Sequence, residues 1–407
     1  MKAMLKTTTL KVLSTLAILA AVGSAQAQQA QEAARPEIGK PLQAAHDLMK
    51  AGKYRDALAK VREAEAAPNP SAYERFMLDR IRGVAAAGAG DDATASKSFE
   101  SALASGRLQP AESLQLLEAL ANSAYRTKDY AKAIDWAKRY FQAGGKSEQV
   151  RNLKTASHYQ MGDYAGVVND MQQKVKSVEE STPVVDETTL RMLAASYAKL
   201  NDDAGYVATL DKLLSHHPRK EYWEDRLTRL QSSADFSDRL LLDVYRLRVA
   251  AGTMDNAEQY VEMAQLALQA ALPFEAKRII ESGYAAGKLG SGAETDRHKR
   301  LRDLAAKQAA EDDKALGAEV VGRNGEALVN TGLALVSAGR LEKGIELLEH
   351  GIAKGDLKRP DEARLHLGQA YLLAGRKPKA IESFKAVRGS EGLGDLGRLW
   401  AIYAART

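Results

Sequence analysis

A run of glycines near the carboxyl end has the spacing that binds a dinucleotide phosphate. Residues 392–397 read Gly-Leu-Gly-Asp-Leu-Gly, which matches the G-x-G-x-x-G fingerprint letter for letter. That fingerprint works only when a strand precedes it inside a βαβ unit, because the pyrophosphate then lies at a helix N-terminus. A helical pattern precedes this run, and only ten residues follow it. We therefore interpret it as a loop that leads into a final helix.

The histidines and the acidic pairs are the other residues whose types could bind a metal or move a proton. No two of the seven histidines have the i, i+3 or i, i+4 spacing that places two ligands on one helix face. The acidic pairs Asp91-Asp92 and Asp202-Asp203 fall in turns, where aspartate caps the next helix. Cysteine, G-x-S-x-G and phosphate-loop sequences are absent from the sequence. The sequence therefore predicts a non-enzymatic protein with no metal and no cofactor.

A repeated turn organises the elements that must position the remaining candidate residues. A glycine or polar turn is followed by a small residue and an apolar-periodic run at Ala57, Ala95, Ala133, Val167, Gly344 and Ala380, with weaker copies at Tyr206 and Ala276. Successive intervals are 38, 38, 34, 39, 70, 68 and 36 residues, so the two long ones are near twice the basic period. A period in this range predicts helical hairpins that stack on one another.

The C-terminal copy shows how one hairpin is built. Gly368 and Tyr371 fall on one face of a predicted first helix, and Gly375 follows where a left-handed residue ends it. Ala380 and Phe384 fall on the inner face of the second helix. Small residues opposite large ones let two helix backbones approach closely. The pattern predicts a tightly packed pair of helices.

Four segments, over 42–66, 112–143, 324–355 and 361–388, resemble tetratricopeptide repeats (TPRs) in the order of their small, aromatic and glycine positions. The resemblance implies an all-α, right-handed α-solenoid of TPR-like hairpins, with degenerate central repeats and a C-terminal capping helix. The whole chain is also similar to exported TPR proteins of Gram-negative bacteria, which implies a periplasmic location.

Breaks in the repeat pattern predict eight segments. These are a signal peptide (1–27), a flexible linker (28–39), N-terminal repeats (40–176), a linker (177–186), degenerate repeats (187–290), an irregular helical segment (291–323), C-terminal repeats (324–390) and a capping segment (391–407) whose helix is predicted from Arg398. Residues 235–250 form an apolar-rich stretch that we expect to pack within the solenoid, with one face towards water.

The first 27 residues have the features of an export signal. Three lysines precede an apolar stretch over 12–22, and Ala25-Gln26-Ala27 supplies a small-x-small cleavage site. Eleven such residues reach about half of a bilayer core, so we expect cleavage after Ala27. No later segment is long and apolar enough to predict a transmembrane helix in the mature chain. Removing these residues lowers the formal charge from +5 to +2, which gives no reason to expect nucleic acid as a partner.

The resemblance to TPR proteins implies a concave groove lined by first helices, which binds peptides or extended protein segments. The matching positions here are Glu118, Asn122, Tyr125, Asn152, Tyr159 and Arg191. Asn122 has Glu118 one helical turn away, where carboxylate-clamp TPRs have a basic residue, so a clamp for a C-terminal carboxylate is not predicted. Arg297, Lys299, Arg300 and Arg302 form the densest basic patch, either a solvated face or a site for an anionic partner.

Three functions remain open from the sequence. The first is a periplasmic protein–protein interaction scaffold, which the repeats favour. The second is an accessory factor of an envelope transport or export complex, and the third is an envelope enzyme whose site has no recognisable motif.

Overall fold

The computed structural model describes residues 33–181, 184–316 and 324–406. Regular structure within these ranges is helical, with twenty α-helices, one 3-10 turn over Asp238–Leu240 and no strand. The all-α class predicted from the repeat is therefore confirmed. In chain order the helices are α1 Pro36–Lys50, α2 Tyr54–Glu65, α3 Ala72–Ala89, α4 Asp92–Ala104, α5 Pro110–Arg126, α6 Tyr130–Gln142, α7 Glu148–Gln160, α8 Tyr164–Ser181, α9 Glu187–Lys199, α10 Asp203–His216, α11 Lys220–Gln231, α12 Leu241–Ala250, α13 Ala257–Gln269, α14 Pro273–Ala285, α15 Thr295–Ala315, α16 Gly325–Ser337, α17 Leu341–Lys354, α18 Pro360–Leu373, α19 Lys377–Ala386 and α20 Leu393–Arg406.

The turns inside the hairpins follow from two residue types. A residue with positive φ ends the first helix, as Gly90 does at 79° and Gly375 at 71°. Aspartate then caps the second helix: Asp91, Asp129 and Asp202 each accept a hydrogen bond from the backbone N–H three residues later. These caps satisfy donors that the first turn of a helix leaves open. The turn spacing seen in the sequence therefore sets the hairpin lengths.

The chain divides into two compact units, residues 1–154 and 155–407, and α7 spans the division. The core of the first unit consists of small and apolar residues from both helices of each hairpin. One cluster includes Ile38, Ala45, Ala57, Val61, Ala64, Leu78 and Ala85, and a second includes Ala86, Phe99, Leu120, Ala121, Ala133, Trp136 and Ala137. Alanines at the inner positions let the helices approach closely, as the repeat pattern predicts.

The start of α1 differs from the sequence prediction. Residues 36–39 are helical, although the predicted flexible linker runs to residue 39, and Ile38 is fully buried. The physical reason is a set of hydrogen bonds that joins Arg35, the residue before α1, to α3. The Arg35 side chain and backbone N–H donate to the Glu74 carboxylate, and Arg35 also donates to the carbonyl oxygens of Pro68 and Asn69.

In the second unit, α20 lies against two sets of helices that are far apart in sequence. It packs on α18 and α19, which precede it, and also on α10, α11 and α12. One apolar cluster joins Trp223, Leu227 and Leu247 of the middle helices with Leu399 and Trp400 of α20. A second cluster is formed by α12, α13, α14 and α15. The C-terminal helix therefore closes this unit onto its own middle helices, which a cap placed only on the last repeat would not do.

Three predicted breaks in the helical pattern are shorter or more regular than expected. Helix α8 continues to Ser181, so helix replaces the first half of the linker predicted over 177–186. Helix α15 is a continuous 21-residue helix inside the segment predicted to be irregular. Helix α20 begins at Leu393, five residues before the predicted start, because Gly397 lets it approach α19 closely: a Cβ there would lie 2.9 Å from the Phe384 carbonyl oxygen. Residues 1–32, including the predicted signal peptide and the first five residues of the predicted flexible linker, lie outside the described residues.

Candidate partner-binding surfaces

Three of the predicted groove residues occupy one face of α5 in the first unit. Glu118, Asn122 and Tyr125 follow the i, i+4, i+7 spacing, which places them in one row along the helix. All three are half-buried. Asn122 Nδ2 donates to the backbone carbonyl of Glu118 at 2.9 Å, and the Ser147 hydroxyl lies 3.4 Å from Glu118 Oε1. The row therefore presents a carboxylate, an amide and a phenol that are held in place but remain open to water.

Tyr125 and Tyr159, 34 residues apart, make the same contact within their own units. Each stands at the end of a first helix and meets, edge to face, the tyrosine that begins the second helix. The ring centroids lie 5.6 Å apart for Tyr125 and Tyr130, and 5.9 Å apart for Tyr159 and Tyr164. Burial raises the pKa of Tyr125, whereas Tyr159 is 41% exposed. The predicted aromatic positions thus combine a packing role with a free ring surface.

The other two groove candidates are exposed. Asn152 lies on α7 in the first unit, and Arg191 lies on α9 in the second. Glu187, beside Arg191, accepts a hydrogen bond from the Tyr222 hydroxyl and forms an ion pair with Arg219 at 2.6 Å. The Tyr222 hydrogen bond holds the pKa of Glu187 below its usual value, while burial and the Glu187 carboxylate raise the pKa of Tyr222 to about 12. Arg191 is therefore next to a carboxylate that is already engaged.

The predicted basic patch is divided by its own ion pairs. Arg302 forms a two-pronged pair with Glu281 at 2.7 and 2.8 Å and lies over the Tyr284 ring. Arg297 lies 3.5 Å from Glu294 and 3.6 Å from Glu258. Lys299 and Arg300 are exposed, and no ion pair is seen for either among the described residues. The patch therefore presents two free cations rather than four.

A family model for the tetratricopeptide repeat matches residues 42–110, 82–148 and 329–392. These segments begin inside α1 and α16 and extend through α6 and α19, respectively. The chain is a tetratricopeptide-repeat protein. Repeats of this kind form protein-interaction scaffolds, since stacked hairpins create extended surfaces that need not pack internally.

Solved structures similar to this TPR chain are themselves TPR proteins. One is a tetratricopeptide repeat protein from Parabacteroides merdae, at 13% identity and a TM-score of 0.31, covering 82% of this chain and 98% of that one. Another is the TPR2AB domain of yeast Sti1 in a complex with pHSP90, at 14% identity and a TM-score of 0.24, covering 72% and 99%. No curated protein sequence matches this chain. The identities and scores are low, so the family assignment rests on the repeat model.

The second unit of this TPR protein contains a buried charged cluster that the sequence analysis missed. Asp243 of α12 accepts hydrogen bonds from Arg246 at 2.8 Å and from Gln369 at 3.1 Å, and the His366 ring lies at 3.1 Å. Arg246 in turn donates twice to Glu275 of α14, at 2.7 and 2.8 Å. The cationic and amide partners hold the pKa of Asp243 far below its usual value despite burial. The cluster joins α12 to α14 and α18.

One feature of the sequence indicates this cluster. Asp243, Arg246 and Arg248 interrupt the apolar run over 235–250, which was expected to leave one face of its helix in water. In the structure Asp243 and Arg248 are buried, and residues all round α12 pack against neighbours, so that expectation is wrong. A charge inside a long apolar run could have indicated a buried polar contact, since charged residues are rarely buried without partners.

Neither a metal-binding cluster nor a membrane-spanning helix occurs among the described residues. No cluster of three or more His, Cys, Asp or Glu side chains with the arrangement of a metal site occurs over 33–181, 184–316 and 324–406. Within the same ranges, every helix is too short or too polar to cross a bilayer.

Proposed function

We propose that this protein is a non-enzymatic periplasmic scaffold that binds an extended segment of a partner protein on the open faces of its first helices. The observation that carries the proposal is the row on α5. Three polar or aromatic side chains at i, i+4 and i+7 remain accessible, while the opposite face of the helix is buried through Leu117, Leu120 and Ala124.

The chemistry of the open faces suits a peptide. Amide and carboxylate groups can hydrogen-bond a peptide backbone, and tyrosine adds contact area with little loss of conformational freedom. Asn122 and Tyr125 are positioned by contacts within their own hairpin, so little ordering cost remains for binding. The second unit offers another phenol and a cation, with Tyr159 and Arg191 exposed.

The periplasmic part of the proposal is supported by the sequence alone. Lysines, an apolar stretch and a small-x-small site occur in the order of an export signal over residues 1–27. Fractionation after osmotic shock tests it: we expect the chain in the released fraction, shortened by 27 residues at its N-terminus. Recovery in the cytoplasm with the N-terminus intact would contradict this part.

Photocrosslinking tests the binding surface. A photoreactive residue at Tyr125 or at Asn152 should capture the same partner protein in cells, because both positions lie on open first-helix faces of the first unit. The matched control is Lys138, an exposed residue on α6, the second helix of the hairpin formed by α5 and α6. Equal capture from Lys138, or no specific capture at Tyr125 and Asn152 with folded protein, would contradict the proposed surface.

A further inference from the structure

A large groove lies within the second unit, away from the candidate first-helix residues. It encloses about 1670 Å³ between the loop over 233–239, the end of α19, the loop over 389–392 and the outer side of α20. Backbone and side-chain contacts fix one end: the Ser237 N–H donates to the Glu391 carbonyl oxygen at 3.2 Å, and Arg239 pairs with the Glu391 carboxylate at 2.6 Å. The groove is therefore a product of the return of α20 onto the middle helices.

The floor of the groove is apolar and only partly covered. Phe236, Ile381 and Ile402 line it and are half-buried, while Leu230 and Phe384 lie buried beneath them. Because Phe384 stacks on Trp400, with ring centroids 5.6 Å apart, the floor is backed by packed aromatic rings. Such a floor can accept apolar side chains without rearranging the core.

The two walls carry charges of opposite sign. Lys385 of α19, Arg388 of the loop after it and Arg406 of α20 are exposed, and no ion pair is seen for them among the described residues. The Arg388 guanidinium donates to the backbone carbonyl oxygens of Lys385 and Val387. The facing loop carries Asp235 and Asp238, which are exposed and likewise without an ion pair there. This wall thus presents three cations without an ion pair along one side of the apolar floor.

Other charges at the groove are already engaged in holding α20. Arg398 donates to Asp211 of α10 at 2.7 Å and also pairs with Asp395. Arg226 of α11 is almost fully buried, with Nε at 2.9 Å from Asp211 and Nη2 at 3.2 Å from Asp395. These four residues form the ion pairs that attach α20, beside its apolar contacts, and Lys385, Arg388 and Arg406 take no part in them.

The size of the groove favours a peptide over a small molecule. Pockets for drug-sized ligands enclose roughly 300–1,000 Å³. An α-helix about 10 Å wide, with a rise of 1.5 Å per residue, would fill the groove with roughly 14 residues. A helical segment docked with one face down would place apolar side chains on the floor and its flanking side chains against the walls.

We propose that this groove binds an amphipathic segment of a partner protein, with apolar side chains on Phe236, Ile381 and Ile402 and carboxylates against Lys385, Arg388 and Arg406. The charge pattern also sets the orientation, because the acidic flank must face α19 and α20 and avoid Asp235 and Asp238. This site is separate from the first-helix faces of the proposed function and does not depend on them.

The test uses the full chain and two fluorescein-labelled 14-residue peptides. Both carry the same apolar residues at i, i+3, i+4 and i+7, and their flanking positions are all glutamate in one and all lysine in the other. Fluorescence anisotropy should show tighter binding of the glutamate peptide, weakened by added salt. The double variant Lys385→Glu and Arg406→Glu should weaken that binding by at least about tenfold and bring the lysine peptide to equal or tighter binding.

The matched control is the double variant Lys307→Glu and Lys314→Glu, which makes the same change of charge on exposed residues of α15 outside the predicted basic patch. It should leave the binding of both peptides unchanged, and circular dichroism should show equal helix content in all three proteins. Absence of a preference for the glutamate peptide, or an equal loss in the α15 variant, would overturn the proposal. Sedimentation that shows a dimer abolished by Lys385→Glu and Arg406→Glu would also overturn it, in favour of a second copy of this chain as the occupant.

Discussion

At the scale of single residues, two carboxylates hold helices together. Glu74 accepts hydrogen bonds from Arg35 at 2.9 Å and from the Ser71 N–H at 2.7 Å, joining the start of α1 to the start of α3. These bonds, the Arg35 one foremost, lower the pKa of Glu74 to about 2. Because the carboxylate is stabilised only in the folded state, it links the stability of the first unit to pH.

The predicted consequence is a difference in stability between the wild type and Glu74→Gln that disappears at low pH. Glu74→Gln should be less stable than the wild type at pH 7, because the amide cannot accept the same set of charged donors. The folded-state pKa is depressed, so the wild-type advantage should be complete above about pH 4.5 and disappear as pH falls towards 2. Urea denaturation at a series of pH values measures it. The control Glu63→Gln changes an exposed i, i+3 pair with Lys60 and should show little difference at any pH, and a pH-independent Glu74→Gln difference would contradict the assignment.

Asp243 is the corresponding residue in the second unit. Its side chain is almost fully buried. It accepts hydrogen bonds from Arg246 and Gln369 and lies 3.1 Å from the His366 ring. Asp243→Asn keeps the shape but removes the charge, and should cost about 1.5–3 kcal/mol of unfolding free energy at pH 7. Since the pKa of Asp243 is lowered in the fold, this cost should shrink only below the ordinary aspartate pKa. Chemical denaturation against the exposed control Asp296→Asn checks it, and equal stability of the two variants would show that the cluster contributes nothing.

At the scale of elements, α16 and α17 show why small residues recur in the repeat. Gly332 and Gly344 bring the two backbones together: a Cβ on Gly344 would lie 2.8 Å from the Gly332 carbonyl oxygen and 2.7 Å from Val336 Cγ2. Gly325 and Gly351 repeat the contact one heptad away. Glycine in a helix interior costs roughly 0.5–1 kcal/mol relative to alanine, so its presence here indicates that the close approach is worth more.

Replacing one of these glycines with alanine separates the effect of helix propensity from the effect of close packing between helices. Gly344→Ala should destabilise the protein by about 1–3 kcal/mol, because the added methyl group meets backbone that cannot move away. Gly39→Ala is the matched control, since the nearest atoms to its Cβ lie at 3.7 and 3.8 Å, and it should stabilise α1 by up to about 1 kcal/mol. Thermal unfolding of the two variants measures the contrast. A stabilising Gly344→Ala would mean that the helices are not held at this distance.

The hairpins were predictable because their signals are local. Gly375 ends a helix and Ala380 packs inside the next one, and both roles follow from spacing within about twenty residues. The same holds for the row of Glu118, Asn122 and Tyr125, which the 3.6-residue period places on one face of α5. The start of α20 was predicted too late because glycines at 392–397 indicate a loop, whereas Gly394 and Gly397 are helical and Gly397 lies close to the end of α19. A close tertiary approach reversed the local preference.

At the scale of the whole molecule, the return of α20 onto α10–α12 had no counterpart in the sequence. Contacts such as Arg398 with Asp211 join residues 187 positions apart, and no periodicity encodes such a pairing. A linear repeat array has contacts only between neighbouring repeats. The second unit departs from that rule, so its stability should not be a sum of nearest-neighbour interactions. The groove proposed above exists only because of this closure.

A substitution at Leu399 tests whether the middle helices depend on their contact with α20. Leu399 is fully buried in the cluster that α20 shares with α11 and α12, so Leu399→Ala should cost about 2–5 kcal/mol. In a linear array the loss would raise hydrogen exchange only in α18 and α19. Here we expect faster exchange of backbone amides in residues 203–250 as well, measured by mass spectrometry. The control Leu373→Ala removes a side chain that is 63% exposed on α18 and should leave exchange unchanged throughout. Normal protection of residues 203–250 in Leu399→Ala would show that the middle helices do not depend on α20.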